Sequence, residues 1–160
     1  MRLKILGEEF EVIHGNSEED KVDFKDGKIY VNSKNVTSSK LINEALSDYL
    51  YTELLGMYGR MKKEIKLEIL GNIKFEIKDK IDGKKSRIAK LHHNKITVKL
   101  NAISLPKEAL KYLMAHEIAH LITKKHNDRF WNVVKTIYPE YEIGRELLEK
   151  NVDDLKRNFT

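Results

Sequence analysis

Three of the six histidines in this 160-residue chain fall within the stretch LMAHEIAHLITKKHNDRFW, residues 113–131, and Glu117 directly follows the first of them. His116 and His120 are four residues apart, so on a helix their imidazoles project from one face, one turn above the other. Two nitrogens placed in this way reach a single ion. A catalytic zinc takes three protein ligands and leaves its fourth position to water, so the pair calls for a third partner. Glu117 projects about 100° around a helix from His116, beside the ligand face rather than on it, which suits a base better than a ligand. In a His-Glu-x-x-His arrangement the metal lowers the pKa of bound water towards about 7, and the carboxylate takes the proton as the water attacks a carbonyl. The same carboxylate then delivers that proton to the leaving amine.

Two sources for the third ligand stay open at this point. His126 lies past the end of the helix, so the chain must bend near Thr123 to Lys125 to return it to His116 and His120. The offset equals that of the metzincin pattern, in which a glycine makes the bend; here the position is Thr123, and no Met-turn is legible downstream. The competing source is a carboxylate from Glu140, Glu142 or Glu146 on a later helix. A His-Glu-x-x-His run alone arises by chance in roughly one shuffled chain of this composition in fifty, and the added histidine makes coincidence far rarer.

Other polar and aromatic residues weigh less. Phe130 and Trp131 share helical spacing with Val133 and Val134 and read as core support behind His126 rather than as a substrate platform. His92 and His93 read as turn residues at the entry to a strand, and His14 as incidental. Tyr138 and Tyr141 are secondary candidates for donating a hydrogen bond to a developing oxyanion.

The elements that must carry these residues follow from periodicity. EFEVIH alternates Phe10, Val12 and His14 against charged neighbours, VDF and KIYV follow, and Asp26-Gly27 has the chemistry of a hairpin turn, so a small antiparallel N-terminal sheet is expected. From Ser38 or Ser39, both suitable N-caps, to about Ile65, apolar residues recur near a 3.6 period through Ile42, Leu46, Leu50, Leu54, Met57 and Met61. IKFEIK and NKITVKL alternate as two half-buried strands, and the polar IDGKKSRIAKLHH between them reads as a loop or a loose hairpin. Pro106 at a first-turn position and Glu108 at the positive end open a helix expected to run to about Ile122. Asn127 caps the next, which Pro139 closes, and a last helix spans about Ile143 to Lys156.

Composition bounds the rest. Hydrophobic residues make up 41% and charged residues 34% of the chain, a globular signature for one domain of ordinary size. With no cysteine, a metal site must draw on His, Asp or Glu, and disulfides and thiol nucleophiles are excluded. The net charge of +5 permits an acidic partner such as nucleic acid without requiring one, and the lysines, among them Lys62, Lys63, Lys84, Lys85, Lys124 and Lys125, read as solvated faces. No stretch approaches the roughly 20 apolar residues of a membrane span, and no signal-peptide run is legible, so a cytoplasmic protein is expected.

HEIAHLITKKHNDRFW, preceded by KITVKLNAISLPKEALKYLMA and followed by YPEY, closely resembles the YgjP-like metallopeptidase domain, a relative of the SprT/Spartan and WLM groups. The resemblance covers residues 86–150 well and the N-terminal part loosely. It implies His116, His120 and His126 as zinc ligands, Glu117 as catalytic base, and a protein or peptide as substrate. The SprT/Spartan relatives raise DNA-bound proteins as a substrate class. One departure is plain: where the family carries an Arg-Trp-Gly-Ser-like run before the strand, this chain has Arg87, Ile88, Ala89 and Lys90. The expected fold is α+β and zincin-like, with the active-site helix on a small mixed or antiparallel sheet. The expected organisation is a single domain over 1–160, comprising a strand-rich part at 1–37, a long helix at 38–65 and a zincin core at 66–160.

Overall fold

The computed structural model describes residues 1–34, 39–65, 72–82 and 87–158, with side chains to residue 152. Ser38, Lys84 and Lys85 lie outside the described residues. The order of elements is β1 (Arg2–Ile5), β2 (Glu8–Gly15), β3 (Lys21–Lys25), β4 (Lys28–Asn32), α1 (Ser39–Glu64), β5 (Lys74–Lys78), β6 (Ala89–His92), β7 (Lys95–Lys99), α2 (Lys107–Ala119), α3 (Asp128–Ile137) and α4 (Tyr141–Asn158). A short 3-10 turn, Leu100–Ser104, joins β7 to the approach of α2. The class is α+β, with two small mixed sheets.

The N-terminal sheet has the order β1-β2-β4-β3. Asp26 and Gly27 form the expected hairpin turn, both at positive φ (52° and 72°), the combination a two-residue turn between twisted strands needs. The sheet is nevertheless mixed and not antiparallel throughout, because β4 inserts between β2 and β3 and runs parallel to β2. Burial accounts for this correction: Ile29 and Val31 on β4 are almost completely enclosed, and a central position covers that strand on both edges. A second hairpin, β1 to β2, turns on Leu6 and Gly7, also both at positive φ. Leucine is an unusual occupant of that conformation, so neither the turn nor β1 was legible locally.

Helix α1 buries Ile42, Leu46, Leu50, Leu54, Met57, Tyr58 and Met61, the stripe that its periodicity predicts. It lies against β5, the start of the second sheet, whose order is β5-β7-β6. β5 runs parallel to β7 and β6 antiparallel to it. The segment expected as a loop or a loose hairpin contains a strand, β6, joined to β7 by a two-residue turn at His93 and Asn94, with His93 at φ 54°. AKLH offers only Ala89 and Leu91 as an alternating pair, too short a pattern to stand out from its polar surroundings.

Pro106 sits at the N-cap, one residue before α2, and Glu108 occupies the first turn. Nine residues of α2 are buried, including Leu110, Leu113, Met114 and Ile118, against a core that runs through α1, the second sheet and α3. Gly144 on α4 allows the close approach of α4 to α2. A Cβ built there would meet the Glu108 carbonyl oxygen, Tyr112 Cβ at 2.7 Å and Tyr138 Cε2 at 2.9 Å. Gly59, in the exposed part of α1, has nothing within 4 Å of its would-be Cβ. The same substitution should thus change sign between the two sites. Gly144→Ala is expected to lower stability by about 1–3 kcal/mol through overpacking, whereas Gly59→Ala is expected to raise it by about 0.5–1 kcal/mol through helix propensity. Chemical denaturation of the two variants checks both signs.

Candidate metal centre

The regular part of α2 ends at Ala119, three residues earlier than the periodicity suggests, and His120 forms the C-cap at φ −67° and ψ −13°. The chain then tightens: the N–H groups of His120, Leu121 and Ile122 donate to the carbonyls of Glu117, Ile118 and Ala119, three residues back. His120 keeps right-handed helical dihedrals, so it still stands one turn above His116.

The bend that follows needs no glycine. Among the described residues, positive φ on non-glycine residues occurs at Leu6, Asp26, Asp82 and His93, none of them between His120 and His126. Thr123 organises the turn. Its N–H donates to Ala119 O at 3.2 Å, and its hydroxyl accepts from the Lys125 N–H at 3.3 Å. The threonine side chain thus supplies by hydrogen bonding the turn that a glycine would supply by conformational freedom. Asn127 then caps α3, accepting the Phe130 N–H at 3.1 Å on its side-chain oxygen.

This route returns His126 to the helix. One ring nitrogen from each of His116, His120 and His126 lies within 4.8 Å of the other two. The ring centroids are 4.9, 5.2 and 5.0 Å apart for the pairs 116–120, 116–126 and 120–126. Nδ1 of His120 donates to the Thr123 carbonyl oxygen at 3.2 Å. A carbonyl can only accept, so Nδ1 carries the proton and Nε2 presents its lone pair, the orientation that a metal-ligating imidazole requires. Burial, and next the facing His116 and His120, hold the His126 pKa below the ordinary histidine value; the Glu117 carboxylate opposes them. Neutral imidazole is the form that binds a cation. The donor set of three imidazoles without thiolate fits a divalent transition metal.

Phe130 forms the floor of the cluster. It is fully buried, and its ring lies 5.1, 4.8 and 4.8 Å from the rings of His116, His120 and His126. An aromatic under all three imidazoles limits their rotamers and excludes water from behind them. Glu117 is 9% exposed, and its Oε1 lies 3.7 Å from His116 Nδ1. Its carboxylate opens onto the same cleft as the histidines, a hollow of about 730 Å³. Glu140, Glu142 and Glu146 do not join the cluster. All three are exposed, and Glu146 pairs with Lys150 at 3.5 Å.

The remaining candidates fall elsewhere. His14, His92 and His93 are exposed and outside the cluster. Tyr138 faces a different hollow, between α1 and α2, with Lys111 Nζ 4.7 Å from its ring centre. Tyr141 stacks on Trp131 at 5.7 Å. Sequence reading passed over Tyr112, Arg145, Leu148 and Glu149, which line the cleft. Tyr112 precedes His116 by one helical turn, a signal available in the sequence; the α4 residues reach the cleft only through the packing of α4 on α2. Burial raises the Tyr112 phenol above its usual range, which keeps it a proton donor. Arg87, the first residue of the departing Arg-Ile-Ala-Lys run, also lines the cleft and pairs with Asp82 at 3.8 Å.

Residues 1–151 match the family profile of the YgjP-like metallopeptidase domain. The chain belongs to the YgjP-like metallopeptidase family. A search of curated proteins finds no match. Among solved structures, the metallopeptidase zymogen of abylysin from Pyrococcus abyssi is similar at 26% identity, with a TM-score of 0.49 and an alignment that covers 66% of this chain and 97% of that one. Membership extends the resemblance seen around the histidines to the N-terminal sheet and α1. This YgjP-like chain is accordingly a metal-dependent peptidase by family, with proteins or peptides as its substrate class. Among its described residues no helix is long and apolar enough to cross a membrane.

Proposed function

We propose that the chain is a cytoplasmic zinc peptidase in which His116, His120 and His126 hold the metal and Glu117 is the general base. The observation that carries this reading is the approach of three imidazole nitrogens to within 4.8 Å of one another, beside a carboxylate that shares their cleft. Held by these three histidines, zinc would acidify a bound water and polarise the scissile carbonyl. Glu117 accepts the proton of the attacking water and passes it to the leaving amine nitrogen. Burial of Glu117 keeps bulk water from competing for that proton. The Thr123 carbonyl fixes the His120 tautomer, and Phe130 holds the three rings in place. Tyr112 lines the same cleft, and burial raises its phenol, so it is a further candidate to donate to an oxygen that gains charge.

Metal analysis of the purified protein, with peptide cleavage assayed before and after chelation, tests the proposal. About one equivalent of zinc, and cleavage abolished by chelator and restored by added zinc, are expected. A metal-free protein that cleaves peptides at the same rate would exclude it. A non-catalytic metal-binding adaptor is the weaker reading, since a binding module has no use for a carboxylate in the position of Glu117.

A further inference from the structure

Trp131 of α3 with Arg145, Leu148 and Glu149 of α4 builds a wall of the cleft beside His126, and this wall carries a cation. Tyr141 and Arg145 are one turn apart on α4, and both contact Trp131 of α3. Tyr141 stacks on the indole at 5.7 Å with an interplanar angle of 27°, and the Arg145 guanidinium carbon lies 5.0 Å from the ring centre. Trp131 is itself 6.4 Å, ring to ring, from His126. The guanidinium is thereby within the span of roughly four residues of extended peptide, at about 3.3 Å each, from the His126 ring.

Arg145 also pairs with Glu149, through Nε to Oε1 at 3.3 Å. The arginine and glutamate side chains are 49% and 68% exposed, and an exposed i,i+4 pair adds little stability. Arg145 lines the cleft, and only its Nε is engaged, so the terminal nitrogens, which carry four of the five donors, have no carboxylate hydrogen-bond partner among the described residues. A planar fork held on an indole and open at its ends is suited to bidentate recognition of a carboxylate.

We infer that Arg145, positioned by Trp131 and restrained by Glu149, is a specificity residue that selects peptides carrying a carboxylate within a few residues of the scissile bond. The inference rests on the peptidase reading for the location of that bond. Glu149 acts as a competitor: it occupies Nε, and its charge must be displaced or tolerated when a substrate carboxylate arrives. Its removal is expected to sharpen the preference. The carboxylate can be an Asp or Glu side chain, or the C-terminal group of a short peptide.

Fluorescent peptides of one length, differing at positions flanking a central bond in Glu, Gln or Lys, separate the first source; free and amidated C-termini separate the second. Binding is measured on zinc-loaded full-length Glu117→Gln protein, and cleavage on the wild type. Glu-containing or free-acid peptides are expected to bind about tenfold or more tightly than their neutral partners, the effect of a charge-assisted hydrogen bond. Arg145→Met should bring that ratio near one with zinc content and melting temperature unchanged, and Glu149→Gln should increase it. A carboxylate preference that survives Arg145→Met, or no preference in either series, overturns the inference. Selective, Arg145-dependent binding with no cleavage of any peptide by the wild type would support the carboxylate site and count against the peptidase reading instead.

Discussion

Glu117→Gln is expected to lower peptide hydrolysis by about 100-fold or more while leaving metal content and melting temperature near those of the wild type. Glutamine preserves the size of the side chain and its hydrogen-bonding reach but cannot accept a proton, so under the proposed role the substitution removes general-base catalysis alone. Metal retention is expected because Glu117 does not belong to the trio of ligand atoms that lie within 4.8 Å of one another. Stability is expected to hold because its carboxylate makes no side-chain hydrogen bond among the described residues, its approach to His116 Nδ1 being 3.7 Å. The experiment compares turnover at matched metal occupancy. Equal turnover by the two proteins would remove Glu117 from the chemistry, and loss of metal together with activity would make it a ligand.

His126→Ala is expected to deplete bound metal severely, as His120→Ala should, whereas Glu142→Ala and Glu146→Ala should retain about one equivalent. A three-ligand site that loses one imidazole keeps two, fewer than the three protein ligands typical of a catalytic zinc site. Phe130 cannot compensate, since it presents only a ring face or edge to the three histidines. The glutamates are exposed and stand apart from the cluster. Metal-to-protein ratios after dialysis, with X-ray absorption at the metal edge to count imidazoles, provide the measurement. Full occupancy in His126→Ala together with loss in Glu142→Ala or Glu146→Ala would transfer the third position to α4.

The relation between His116 on α2 and His120 at its C-cap was legible because it is local. Four residues on a helix set the direction of both side chains, whatever packs around them. The same holds for the Asn127 cap of α3, the stop before Pro139, the Asp26-Gly27 turn and the buried stripe of α1, each of which depends on a few adjacent residues. His126 was a candidate on spacing and on the family resemblance, with Glu140, Glu142 and Glu146 as rivals. No local rule states where a chain goes after a helix ends. The route was decided by hydrogen bonds at Thr123 and by Phe130, which α3 brings beneath the rings.

What tertiary structure alone decided involves pairings between distant segments. β4 takes the centre of the N-terminal sheet because Ile29 and Val31 are best buried there, and this makes its contact with β2 parallel. Ala89–His92 becomes a strand because β7 offers it an edge, although its own four residues carry too little pattern to announce it. The α4 part of the cleft lining exists because Gly144 lets α4 lie close on α2, which carries Arg145 and Glu149 to the cleft from outside the motif. By itself the sequence determined the chemistry on offer, since residue type and helical spacing dictate which atoms can share an ion. The shape that meets a substrate was left to the tertiary structure, because burial and close packing act between residues far apart in the chain, which no local periodicity records.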